Sequence, residues 1–278
     1  MSQKINGKQL AAPVRQAVKA KIKGLGFTPG LAVILVGSDP ASHRYVALKE
    51  QACREAGIHL ETLLHFATTP QKKILAQINK LNQRPDIHGI IVQLPLPGQL
   101  DENQIIRAID PAKDVDGFHP ANIQKLLRDE KVEKPVLIKA VLRLLAATAE
   151  PLAGKNALII ANSPVFTQPM VKVLATPGLV VKTTKPNDPA LGAKAAGADV
   201  LIVAAGRPRL ITADMIKPGA IVIDIGINDE NGKLVGDVDP QAVAAKAKWY
   251  TPVPGGVGPM TVAMLLENTL ALAERQKK

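Results

Sequence analysis

Apolar runs of strand length alternate with stretches of helical periodicity along most of this chain, and no other feature limits its fold as tightly. GLAVILVG is followed by a helical stretch from Ala41 to Ala56, then IHLETLLHF, a helix opened by Thr69-Pro70, and HGIIVQLPLP. Short β-rich runs separated by helices imply parallel strands, because a parallel connection needs a crossover of roughly a dozen residues or more. A second series begins after Gly154 and reads NALIIA, a helix from about Pro169 to Ala175, LVVKTT, ADVLIVAAG and GAIVIDIGIN. Between the two series lie a loop rich in Asp and Pro, IDPAKDVDGFHP, and a helix from about Val136 to Ala149. The chain closes on TPVPGGVGPM and a helical stretch, TVAMLLENTLALAERQ, with Thr261 placed to cap it. The expected fold is α/β, a βαβαβ series followed by a second parallel sheet.

The 278 residues suit two domains at about 150 residues each. No stretch approaches the roughly 18 to 20 apolar residues of a membrane span. The opening MSQKINGKQLAAPVRQAV has no apolar core ahead of a small-residue cleavage site, so a cytoplasmic protein without a membrane partner is expected. Cys53 is the single cysteine and the five histidines show no ligand spacing, which argues against a disulfide or a metal site. Basic residues exceed acidic ones by 11, so the chain attracts anions. With aromatics at 3% and the basic residues scattered, a small phosphorylated or carboxylated ligand is favoured over nucleic acid.

In parallel sheets, ligands collect at the carboxyl ends of strands. Gly37-Ser38-Asp39-Pro40 follows the first strand and opens the helix carrying Tyr45 and Lys49, four residues apart and so on one face. A lysine partly desolvated there loses its proton near neutrality and can shuttle protons; the competing reading is an exposed, snorkelling side chain. Gln93 leaves the third strand ahead of Pro95 and Pro97 and offers donor and acceptor to the same crevice, or else satisfies loop backbone. Asp116 either returns to that crevice, where a carboxylate suits an amino-pyrimidinone ring, or serves an Asp-Gly turn.

VGSDPASHRYVALK, GIIVQLPLP, DVDGFHP, AIVIDIGIN, GDVD and TPVPGGVGPMT, in this order from about Gly30 to Leu270, resemble the signatures of the bifunctional methylenetetrahydrofolate dehydrogenase/cyclohydrolase proteins of FolD type. The resemblance implies a cleft between a folate lobe and a Rossmann-like lobe, tetrahydrofolate derivatives as substrates, NADP as cofactor, and a homodimer. It implies a folate-binding domain over residues 1–120, joined by the helix 259–278, and a dinucleotide-binding domain over 136–258. Lys49 is then the catalytic residue, Tyr45 packs on the folate, Gln93 tunes the lysine and Asp116 holds the pterin. Ser42 and the turn Pro254-Gly255-Gly256 complete the folate wall, with glycine letting backbone approach the ligand. Ser163, Lys185, Gly206 and Ile227 fall at the cofactor positions.

The cofactor half departs from the family pattern. After NALIIA the family has glycine, x, serine, x, x, valine, glycine, x, proline, whereas this chain runs from Ala161 to Pro169 as ANSPVFTQP. Pro135-Val136-Leu137-Ile138 stands for proline, cysteine, threonine, proline, and Lys185-Pro186-Asn187-Asp188 for histidine, serine, x, threonine. The expectation is a dinucleotide site degraded by added Cβ atoms. If either dinucleotide binds, NADP is preferred over NAD, because Lys185 can attract a 2′-phosphate and no acid sits directly at that strand end; the competing reading of Lys185 is an ordinary exposed loop lysine. Cyclohydrolase chemistry, which needs water and a base only, then outlives the dehydrogenase; a non-catalytic folate-binding or regulatory protein is the alternative.

Overall fold

The computed structural model describes residues 2–277. In chain order its elements are β1 (Gln3–Lys4), α1 (Gly7–Lys23), β2 (Gly30–Val36), α2 (Pro40–Ala56), β3 (His59–His65), α3 (Gln71–Gln83), β4 (Gly89–Val92), α4 (Glu102–Arg107), α5 (Pro120–Leu127) and α6 (Val136–Ala146). They continue as β5 (Asn156–Ala161), α7 (Pro164–Leu174), β6 (Val180–Thr184), α8 (Leu191–Ala196), β7 (Val200–Ala204), a 3₁₀ turn (Ala213–Met215), β8 (Ile221–Asp224), β9 (Asn228–Glu230), β10 (Lys233–Val235), α9 (Pro240–Lys246), β11 (Trp249–Tyr250) and α10 (Val257–Gln276). The chain divides into two compact units, Ala12–Val136 with the residues from Val262 on, and the residues up to Ala11 with Leu137–Thr261.

The first unit is built on a parallel sheet in the order β3-β2-β4. All seven residues of β2 are buried, as a central parallel strand requires, and each buried Val, Leu or Ile there contributes roughly 1.5–3 kcal/mol. Ile74, Ile78 and Leu81, on one face of α3, pack with Ala32, Ile34, Ile90 and Val92 of the sheet. Beyond β4, the loop through Lys113 and Asp114 continues the sheet's hydrogen bonding, with Ile90 N donating to Lys113 O at 2.7 Å and Ile90 bridged to Asp114.

The second unit holds a six-stranded sheet in the order β1-β11-β8-β7-β5-β6. The chain winds outward from β5 to β6, then crosses back to β7 on the other side of β5. That reversal makes the carboxyl ends of β5 and β7 the topological switch point, where such sheets bind ligands. Leu158, Ile160, Leu201, Val203 and Val222 form its core with Leu191, Ala195 and Val243 of the covering helices.

Four details differ from the sequence expectation. β1 pairs with β11, so the first residues complete the second unit's sheet and not the N-terminal lobe's; two residues are too short to show periodicity. Helix α7 starts at Pro164, where a missing N–H is harmless, and Pro169 lies buried inside it. Helix α10 starts at Val257, and Thr261 is no cap: its hydroxyl donates back to Gly258 O at 2.6 Å. Helix α6 ends at Ala146, with Ala149 in the left-handed region at φ 54°.

Candidate active site

Helix α2 is fixed at both ends by its sequence. Asp39 Oδ2 accepts from Ser42 N at 2.8 Å and from Ser42 Oγ at 2.7 Å, Pro40 occupies the first turn, and Gly57 closes the helix at φ 87°. Ser42 is thus 3% exposed, with its hydroxyl proton committed to the cap. Tyr45 and Lys49 are both half-buried on this helix.

Strand β4 delivers Gln93, whose N–H donates to Ile34 O at 2.9 Å. Its Nε2 donates to Leu94 O at 2.6 Å, which turns Oε1 toward α2, where it accepts from Lys49 Nζ at 2.8 Å. Burial holds the Lys49 ammonium below its ordinary range, opposed by the charge of Asp116 and then by Cys53. Asp116 has its carboxyl pushed up to about 6, first by burial and then by Asp114, with Lys49 acting in the other direction. Burial raises the Tyr45 phenol and pushes the Cys53 thiol up to about 12, so both stay protonated at neutral pH. The structure therefore brings Lys49, Gln93 and Asp116 into one electrostatic group. An amide in place of a carboxylate beside the lysine orients it without favouring its charged form.

Pro254, Gly255 and Gly256 belong to the other unit. Gly255 has φ 109°, and a Cβ on Gly7 would stand 1.8 Å from Gly256 O, so the glycines at 7 and 256 let two protein backbones meet. The expectation had assigned that close approach to a ligand alone.

At the switch point, Ser163 is exposed at the N-cap of α7 and makes no capping bond. Gly206, at φ 64°, follows β7 and has open space where a Cβ would stand. Lys185 is exposed beyond β6 and Ile227 is 40% exposed. These features fit a dinucleotide: an open helix N-terminus, an unshielded glycine and a free cation at the strand end. Ala161 and Thr167, where the family has glycine, are 5% and 9% exposed, so their extra atoms are absorbed in packing and the exposed turn is not filled. Asp188, four residues past β6, folds back so that its carboxylate accepts from Thr184 Oγ1 at 2.7 Å and pairs with Lys194. Adjacency in sequence had hidden that acid from the strand end.

Sequence reasoning missed three buried carboxylates among the described residues, Asp114, Asp224 and Asp237. Asp114 stands beneath the Asp116 loop, and Asp237, with no exposed surface, accepts from the backbone N–H groups of Ala205, Gly206 and Arg207. An Asp-Val-Asp triplet marks Asp114 and Asp237, at 114–116 and 237–239. Among the described residues no cluster of His, Cys, Asp and Glu has the arrangement to hold a metal, and no helix is long and apolar enough to cross a membrane.

Comparison with known proteins places this geometry. The model of the tetrahydrofolate dehydrogenase/cyclohydrolase catalytic domain matches residues 5–116, and that of the NAD(P)-binding domain matches residues 135–277. The chain belongs to the tetrahydrofolate dehydrogenase/cyclohydrolase family. It is 46% identical to the bifunctional protein FolD of Moorella thermoacetica over 278 residues, covering 99% of this chain and 98% of that one. It is likewise 46% identical to the FolD of Streptococcus pneumoniae over 280 residues, covering 99% and 98% of the two chains. The crystal structure of FolD from Campylobacter jejuni has a TM-score of 0.93 at 42% identity, with 99% of each chain covered. A Trypanosoma brucei FolD, solved with NADP cofactor and inhibitor, has a TM-score of 0.94 at 31% identity, with 100% of this chain and 99% of that one covered. The NAD(P)-binding match spans the altered turn, so the expected degradation of the dinucleotide site and the doubt over the dehydrogenase gain no support. Nor does a non-catalytic member of the family. The physical reason is the burial of Ala161 and Thr167.

Proposed function

We propose that this protein interconverts one-carbon units on tetrahydrofolate, oxidising 5,10-methylenetetrahydrofolate with NADP and hydrolysing 5,10-methenyltetrahydrofolate to 10-formyltetrahydrofolate. The observation that carries the reading is the half-buried Lys49 amine, held below its ordinary pKa and hydrogen-bonded to the neutral amide of Gln93. The family's relatives named bifunctional support both activities together.

In the hydrolysis, water adds to the methenyl carbon and Lys49 Nζ takes its proton. One carbon–nitrogen bond then opens to leave the formyl group on N10, with one proton released overall. The cationic substrate disfavours an ammonium beside it and lowers the lysine further. Gln93 keeps one Lys49 N–H engaged and leaves the lone pair for the water. Asp116 accepts from the amino-pyrimidinone edge, the Tyr45 ring packs on the folate, and Ser42 completes the wall on that side.

NADP, when bound, supplies the two-electron oxidant for the methylene carbon. On this reading Ser163 and Gly206 would hold its phosphates and Lys185 its 2′-phosphate, with Ile227 a further cofactor-binding residue. The protein acts as a cytoplasmic homodimer, with folates and not nucleic acid or membrane as partners. The test is the wild-type protein with methylenetetrahydrofolate and NADP, followed by NADPH absorbance and then by methenyltetrahydrofolate decay. NADPH formation followed by decay faster than buffer is expected; absence of either step removes that activity from the reading.

A further inference from the structure

The DVDGFHP loop carries two carboxylates, and the folate reading uses only the second. Asp114 is 4% exposed and its two oxygens are engaged by its own loop and by α5. Oδ1 accepts from Gly117 N at 3.1 Å, and Oδ2 accepts from His119 N at 2.8 Å and from Asn122 Nδ2 at 2.9 Å. The other Asn122 amide proton goes to Pro111 O at 2.9 Å, which ties the loop's start to α5. On the β4 side, Asp114 is bridged to Ile90, three residues before Gln93. On the far side, Val136 N donates to Asp116 O at 3.0 Å, and Asn268 Nδ2 of α10 donates to Val115 O at 3.0 Å. A Cβ on Gly117 would stand 2.8 Å from Pro135 Cα, so the loop has no room to shift toward that segment. The Asp116 backbone is therefore clamped by β4, α5, the 134–136 segment and α10, with Asp114 at the junction.

We propose that Asp114 is a positioning residue for Asp116, setting the pterin-binding carboxylate in register with Lys49 and thereby fixing substrate affinity and not the chemical step. This rests on the folate reading above. The charged groups that bear on Asp116 are Lys49, from α2, and Asp114 itself. Loss of Asp114 thus acts on geometry and charge at one place.

The experiment compares wild type, Asp114→Asn and Asn122→Ala in methenyltetrahydrofolate hydrolysis well below each Tm. An interaction made equally with substrate and transition state shows in KM, so Asp114→Asn should raise KM about 10-fold with kcat within about 2-fold, and Asn122→Ala should raise KM about 3-fold. A lowered Tm with unchanged KM, or a fall in kcat at constant KM, would overturn the proposal. If Asp114→Asn does not fold, Asn122→Ala decides alone, and an unchanged KM overturns it. If the wild type neither binds nor turns over folate, the functional reading has failed. The placement of Asp116 is then read from the Lys49 titration by nitrogen NMR: a midpoint lowered in either variant supports the clamp, and one unchanged in both rejects it.

Discussion

Lys49 Nζ and Gln93 Oε1 stand 2.8 Å apart across 44 residues of chain, joining the third turn of α2 to the carboxyl end of β4. The pairing matters because the acceptor is neutral. Replacing Gln93 by Glu puts a carboxylate at hydrogen-bond distance and favours the ammonium, so the Lys49 pKa rises. We expect hydrolysis at neutral pH to fall about 10- to 100-fold, with activity recovering as pH rises. A pH–rate profile of the Gln93→Glu variant checks this, and a base limb at its wild-type position argues against the amide's role.

Burial pushes the Asp116 carboxyl up to about 6 from the ordinary 3.8. Only the carboxylate can accept two donors from an amino-pyrimidinone, so the wild-type KM should climb as pH drops below about 6. In Asp116→Asn the KM should be high and flat with pH. For folding the sign is the reverse of a salt-bridged acid. With the folded value raised, the stabilising contribution is complete below 3.8 and lost as pH rises through about 6. The Tm of wild type relative to Asp116→Asn should therefore decline over that window, as scanning calorimetry at stepped pH will report.

Gly117 combines φ 79° with a blocked Cβ position 2.8 Å from Pro135 Cα. Gly117→Ala should cost about 2–3 kcal/mol or more, from left-handed strain and overpacking together. Denaturant melts measure this, and a loss below about 0.5 kcal/mol, the level of ordinary surface changes, contradicts the packing argument.

Asp237 gathers three successive N–H groups of the loop after β7, at 2.6, 3.0 and 2.9 Å, and also accepts from Asn228 Nδ2 at 2.9 Å. Charge-assisted bonds of this kind are among the stronger ones. Asp237→Asn should loosen Gly206 and weaken NADP binding about 10-fold by calorimetry while hydrolysis of methenyltetrahydrofolate stays near wild type. Equal loss of both would show a global and not a local role.

Much of this was legible in the sequence because parallel α/β sheets force function to strand ends. The helix after GLAVILV and the end of GIIV had to supply side chains to one edge, and Lys49 and Gln93 meet there. What was hidden depended on contacts without local pattern. β1 finds β11 across nearly the whole chain. Asp188 returns to Thr184 through a turn, and Ser42 gives its proton to Asp39. The β9–β10 hairpin had a readable sign in Asn231-Gly232, both at positive φ, but it was masked by the apolar run of β8 just before it. The missing family glycines suggested a blocked cofactor turn, because sequence does not reveal that Ala161 and Thr167 point inward. In DVDG the sequence draws the eye to Asp116 alone, whereas Asp114 organises the turn and Asp116 bears on the lysine.

The central claim is that the Lys49 amine removes the proton from water in a folate pocket, and one comparison tests it most directly. Decay of methenyltetrahydrofolate absorbance is followed with wild type and with Lys49→Met, whose folding is checked by its Tm and by unchanged binding of NADP. The account predicts decay well above the buffer rate for wild type and decay at the buffer rate for Lys49→Met. Wild-type decay in a folded Lys49→Met protein would contradict it.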